Sequence, residues 1–268
     1  MNTINDMIMK ISSVFSRLEE VEGVVLSGSL STNSQDEYSD IDLYIYSDQE
    51  IPTSTRKILL EPFSNYMEIN NQYWETEDDG TLNEPNIGIE IIYRNYVGIE
   101  NELMKTIVNF QAQVGYSTCL WCNYLNSKIL YDQNGRLKNL QDKINIAFPE
   151  ELKENILNKN YPLLRDSVTS YYCQIEKALK RKDHISINHR VAALLASYFD
   201  ILFAINELPH PGEKKLIKIA QKTCKYLPEK MEENIIMILS YNTITLLNDI
   251  NELIDNLDKL LKSNNLYP

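Results

Sequence analysis

The sequence predicts an α+β protein built in two parts. Three observations predict it. Short apolar runs rich in β-branched residues alternate with helix-period segments over roughly the first half of the chain. Beyond about residue 138 the strand patterns stop and only long amphipathic segments remain. The composition, 43% hydrophobic and 24% charged over 268 residues, is that of a folded chain able to bury a substantial core. Residues 1–140 therefore read as an α/β or α+β domain and residues 141–268 as an all-α helical bundle.

Taken in order, residues 3–21 place Ile4, Met7, Ile8, Ile11, Val14, Phe15 and Leu18 at three-to-four spacing, which predicts an amphipathic helix. "GVVLSGS" (23–29) reads as a short buried strand ending in Gly-Ser, and "DIDLYIY" (40–46) as a second strand. In that second strand Ile41, Leu43 and Ile45 face one way and Asp40, Asp42, Tyr44 and Tyr46 the other. A helix near 54–64 precedes a third strand over 66–76, and the Gly, Asn and Pro of 77–86 predict a turn or loop. "IGIEIIYR" (87–94) is a fourth strand. Helices are expected over 97–113 and 116–126, with a short strand and turn over 128–137. The helical part divides into segments near 150–160, 164–181, 185–206, 212–224, 229–240 and 243–262.

The net charge of −12 repels phosphate backbones, so nucleic acid is not an expected partner. No run approaches the about 18 apolar residues that cross a bilayer, and the first residues lack the basic start and apolar centre of a secretion signal. A cytoplasmic protein without membrane association is expected. The sequence carries no signal for oligomeric state. Cys119 and Cys122 form a CxxC without a matching second pair, in a helical apolar stretch where thiols pack as small hydrophobes. His184, His189 and His210 share no metal-ligand spacing and are expected at the surface or in caps. "WETEDDG" (74–80) could line a pocket for a cationic substrate, although a solvated loop is the plainer reading.

The chemistry concentrates in "LSGSLSTNSQDEYSDIDLYIY", residues 26–46. Carboxylates two residues apart on a strand project from one face about 7 Å apart, close enough to share one ion or span two. A preceding Gly-Ser allows backbone N–H groups and a hydroxyl to approach phosphate oxygens, since glycine has no Cβ in the way. Magnesium, a hard cation, takes oxygen ligands of this kind and neutralises polyphosphate charge. Asp40 and Asp42 are thus candidate metal ligands, and Gly28 and Ser29 candidate nucleotide-binding residues. Glu90, set among isoleucines, would be costly to bury unpaired and is expected to ligate metal or act as a base. Lys214 and Lys215 follow Pro211 and Gly212 at a predicted helix start from which a lysine could reach phosphate; a lysine pair on a helix surface is the plainer reading.

Gly-Ser, a polar loop, then Ser-Asp-Ile-Asp and a later isolated "IEII" resemble the nucleotidyltransferase superfamily that includes DNA polymerase beta, most closely the bacterial aminoglycoside and lincosamide nucleotidyltransferases. The resemblance is specific over about residues 23–46 and only architectural beyond 138. It implies a mixed sheet flanked by helices, and Mg2+-dependent transfer of a nucleoside monophosphate from a nucleoside triphosphate such as ATP to a hydroxyl of a small molecule, with release of pyrophosphate. By position, Gly28 and Ser29 would hold the nucleotide, Asp40 and Asp42 the metal, and Glu90 would serve as general base; on the residues themselves Glu90 is also a candidate metal ligand and Lys214 a candidate nucleotide-binding residue. The helical part would supply the acceptor pocket, with an antibiotic as acceptor by resemblance only. The loop from Leu30 through Ser34 lacks the arginine and further glycine that many relatives place there. Other readings are nucleotidylation of a protein or tRNA, and a nucleotide-binding module without catalysis; retention of all three acids argues against the last.

Overall fold

A computed structural model describes residues 2–32 and 36–266. The chain divides into two compact units, residues 1–104 with 123–146 and residues 105–122 with 147–268. The first is an α+β unit and the second is helical, as the fold class predicts.

The first unit is built on a six-stranded mixed sheet. Its strands are β1 (Val21–Leu26), β2 (Ile41–Ser47), β3 (Ser64–Asn71), β4 (Thr76–Leu82), β5 (Gly88–Arg94) and β6 (Lys128–Asp132), in the order β3-β4-β5-β2-β1-β6. Strands β2 and β5 are parallel, and the other described pairs are antiparallel. Parallel pairing needs a long crossover; here it comprises α3 (Thr53–Leu60) and the β3–β4 hairpin. One face of the sheet is the core. Ile41, Leu43 and Ile45 of β2, Ile89 and Ile91 of β5, and Val24 and Leu26 of β1 pack with Ile8, Ile11 and Phe15 of α1 (Asn2–Phe15) and Leu60 of α3. Period-2 alternation in the strands and 3.6 periodicity in α1 place these residues there.

Strand β4 is the main departure from the sequence reading, which expected a loop over 77–86. Its residues are almost all acidic, glycine or threonine, poor strand formers by composition. Pairing on both sides overrides this, and the acids separate by face. Asp78 faces the core, fully buried, where Arg56 Nη1 of α3 donates to its Oδ1 at 2.9 Å and Tyr93 Oη donates to its Oδ2 at 2.7 Å. The Asn70 N–H adds a third bond to Oδ1. Strand β3 is correspondingly shorter than the expected 66–76, ending at Asn71.

The second unit centres on the helix His184–Ile205, whose residues 197–205 are buried all round, as in a core helix. Glu150–Leu164, Tyr171–Arg181, Met231–Leu239 and Leu246–Ser263 complete its main packing. The helix expected from residue 212 begins at Leu216, because Lys215 adopts a left-handed conformation. His210, expected at the surface or in a cap, is fully buried between the rings of Tyr116 and Phe203. Its Nδ1 accepts from the Gly212 N–H at 3.1 Å, and burial depresses its pKa to about 4, so the imidazole is neutral. The Cys119 thiol lies 3.2 Å from the same nitrogen and is itself pushed up to about 12 by burial, far from a reactive thiolate. Among the described residues no helix is long and apolar enough to cross a membrane.

Candidate active site

The face of the sheet opposite the α1 core carries the predicted acids. Strand β1 ends at Leu26 and the chain turns through Ser27, Gly28 and Ser29 into a single helical turn, Gly28–Ser31. The turn is held from below. The Ser27 N–H donates to the Asp42 carbonyl at 2.9 Å, and the buried Ser27 hydroxyl accepts from Asn123 Nδ2 at 2.9 Å and Ser127 Oγ at 3.1 Å. Gly28 has φ +62°, and a Cβ on it would run into the carboxylate of Asp42. Glycine is required there twice over, for conformation and for space. Gly88, at the start of β5, leaves the same kind of room for the carboxylate of Asp40.

The parallel register pairs Asp42 with Glu90 and Ile41 with Ile89. Asp42 and Glu90 are direct cross-strand neighbours, their side chains on one face, with Asp40 one step along β2 on that face. Asp40 and Glu90 are exposed and Asp42 half-buried. The exposure of Glu90 corrects the sequence argument, which took its isoleucine neighbours as evidence of a buried acid. Only Ile89 and Ile91 enter the core; Glu90 stands on the other, open side.

The register brings further acids to this face that the sequence reading did not include. Asp79 of β4 pairs with Glu90, and Glu68 of β3 pairs with Asp79. Glu68, Asp79, Glu90 and Asp42 therefore form one row across four adjacent strands. Glu77 lies two residues from Asp79 on the same face. The available signal was the period-2 spacing of Glu75, Glu77 and Asp79, hidden by the loop-like composition. Glu75 is engaged by Arg94, whose Nε donates to it at 2.8 Å and whose guanidinium lies 3.9 Å from the ring centre of Tyr44. Ser29 is half-buried at the turn. Lys214 lies in the second unit, exposed, in the turn ahead of Leu216. Asn33 and Ser34, part of the loop without arginine, fall outside the described residues.

Among the described residues no three His, Cys, Asp or Glu side chains are gathered into a ready-made metal cage. Magnesium seldom uses one: it binds through one or two carboxylates, keeps waters and takes its remaining ligands from substrate phosphates. Asp40 and Asp42, two residues apart on an open strand face, fit that pattern.

Two family descriptions match the sequence. Residues 9–106 match "Polymerase beta, Nucleotidyltransferase", and residues 117–216 match a domain of unknown function, DUF4037. No curated protein matches. Among solved structures, the chain is similar to a nucleotidyltransferase-like protein from Exiguobacterium sibiricum 255-15, at 15% identity and TM-score 0.46, covering 97% of this chain and 75% of that one. It is also similar to the STING-associated CdnE c-di-GMP synthase from Capnocytophaga granulosa, at 15% identity and TM-score 0.30, covering 98% and 80%. The match over residues 9–106 runs from within α1 through the Gly28 turn, Asp40, Asp42, the acidic strands and Glu90. This enzyme is a nucleotidyltransferase, carrying a domain of the polymerase beta type over those residues.

Proposed function

We propose that the protein transfers a nucleoside monophosphate from a nucleoside triphosphate to a hydroxyl of a small molecule, releasing pyrophosphate. The observation that carries this reading is the register: Asp42 beside Glu90 on one face, with Asp40 next along β2 and Gly28 against Asp42. In this reading Asp40 and Asp42 hold Mg2+, with Glu90 completing the metal's surroundings. When bound, the ion neutralises and orients the triphosphate. Gly28 and Ser29 bring backbone and hydroxyl groups to the phosphate oxygens. Glu90 takes the proton of the acceptor hydroxyl. The acceptor oxygen then bonds to the α-phosphorus while the bond from that phosphorus to the departing pyrophosphate breaks.

Resemblance makes aminoglycosides and lincosamides the first acceptors to try. Pyrophosphate release is followed with Mg2+, each of the four nucleoside triphosphates and a panel of these drugs. Turnover that requires a drug and a triphosphate supports the reading. Label transferred to the protein itself, or triphosphate binding without pyrophosphate release under every combination, overturns it.

A further inference from the structure

We propose that the outer face of the helix Met231–Leu239 is a self-association surface, covered by the same face of a second copy of this chain packed antiparallel to it. The proposal is independent of the nucleotidyl-transfer reading.

This helix has an unbroken apolar run, Ile235 to Leu239. A surface helix buries one apolar stripe and turns a polar face to water, whereas a helix apolar all round is ordinarily buried all round. Here Met231, Asn234, Ile235 and Ile238 are buried within the helical unit. Ile236, Met237 and Leu239 stand outside, on one arc about Ile236. Two further side chains extend the patch at the end of the helix. Tyr241 Oη donates to the His184 carbonyl at 2.9 Å and the two rings lie 6.0 Å apart, so the first turn of the helix His184–Ile205, with Ile185, borders this end. Ile244 follows in the turn after Tyr241. The five apolar side chains are between 47% and 89% exposed. Single apolar residues at a surface are ordinary; five in one patch mark an interaction surface.

Charge selects the occupant. Glu232 and Glu233 lie in the first turn of the helix, on the same outward arc as Ile236. At the opposite end stand Arg181 and Lys182, next to the His184 that Tyr241 holds. Glu232 accepts from Gln221 Nε2 at 2.7 Å. Among the described residues the side chains of Glu233, Arg181 and Lys182 have no hydrogen-bond or ion-pair partner. Each charge suits the dipole of its own helix end. Together they give the patch an acidic end and a basic end separated by the length of a nine-residue helix, about 13 Å, with apolar side chains between them. Such a face complements itself when one copy is turned end for end. A two-fold axis between Ile236 and Leu239 sets the Glu232–Glu233 turn of each copy against the Arg181–Lys182 turn of the other and packs the apolar arcs together. A parallel arrangement opposes like charges and is disfavoured. The apolar centre supplies the affinity, and the charged ends fix the orientation.

The test is sedimentation equilibrium of the full chain and its variants. The native chain is expected to behave as a reversible monomer–dimer system. Leu239→Glu, which puts a charge at the centre of the face, should raise the dimer dissociation constant at least about tenfold. Glu232→Lys with Glu233→Lys, and separately Arg181→Glu with Lys182→Glu, should each abolish association by setting like charges against one another. All five substituted residues are exposed, so each variant is expected to melt as the native protein does. Mixing the two charge-reversed variants in equal amounts should restore association, because every acidic end then meets a basic one. A face that binds some other partner, or non-specific apolar adhesion, gives no such recovery. A native chain that stays monomeric at about 0.1 mM, a dimer indifferent to Leu239→Glu, a mixture no more associated than its components, or open-ended growth into larger assemblies overturns the proposal.

Discussion

Gly28 sits against the carboxylate of Asp42, so closely that no side chain fits between them. The Gly28 turn and the Asp42 carboxylate are one steric unit, fixed by φ +62° at the glycine and by the Ser27 N–H bond to the Asp42 carbonyl. Gly28→Ala is expected to cost about 1–2 kcal/mol from the left-handed backbone alone and to displace the Asp42 carboxylate. A misplacement of about 1 Å at a reacting centre lowers turnover by roughly 10²-fold. Melting curves and pyrophosphate release, measured on the same preparation, check both halves. A variant with native turnover contradicts the steric coupling.

The Arg56–Asp78 pair is buried on both sides, with side chains 1% and 0% exposed. Burial raises the Asp78 pKa, against the lowering effect of Tyr93, the Asn70 N–H and Arg56. Removing the cation leaves a charge in the core, at a cost of about 3–5 kcal/mol. Arg56→Ala should therefore show a large loss of stability in urea and detach the β3–β4 hairpin, which this pair ties to α3. A loss below about 1 kcal/mol contradicts the account.

Two buried groups of the helical unit titrate in opposite directions. Burial raises Asp200 to about 6, despite bonds from the Ser117 N–H and hydroxyl and from Asn160. Between about pH 4 and 6 the native protein holds a proton at Asp200 that the unfolded chain does not, so this contribution to stability falls as pH rises. His210, lowered to about 4, acts the other way: the unfolded chain takes the proton, and stability falls as pH drops from about 6.5 to 4. At about 1.4 kcal/mol per tenfold change in proton affinity, each is worth about 3 kcal/mol, and the two nearly cancel. Asp200→Asn keeps an acceptor for Ser117 and removes one arm. Its stability relative to the native protein should rise by about 3 kcal/mol between pH 4 and 6.5 and stay level above. A pH-independent difference in urea unfolding refutes the assignment.

What the sequence discloses depends on whether the reason for a residue is local. Strands β1, β2 and β5 are legible because their apolar alternation is written in consecutive residues, and so is the placing of Asp42 and Glu90 off the core face. Strand β4 is not, since Thr76 to Thr81 contain no large apolar residue and its core acid is tolerated through partners distant in sequence, Arg56 22 positions earlier and Tyr93 15 later among them. The extension of the acid row to Asp79 and Glu68 is a matter of register, which pattern alone does not set across a sheet. The exposure of Glu90 and the burial of His210 follow from what packs on each side. Neither Tyr116 nor Phe203 announces itself in the sequence as a neighbour of that imidazole.

The central claim is that Asp42 and Glu90 act on one nucleotide from neighbouring strands. It is tested most directly by comparing native protein, Asp42→Asn and Glu90→Gln for triphosphate binding and for pyrophosphate release with Mg2+ and an acceptor that supports turnover. The account predicts that Asp42→Asn loses both metal-dependent binding and turnover, whereas Glu90→Gln still binds the triphosphate but releases pyrophosphate at least about 10²-fold more slowly. Near-native turnover in either variant would contradict it.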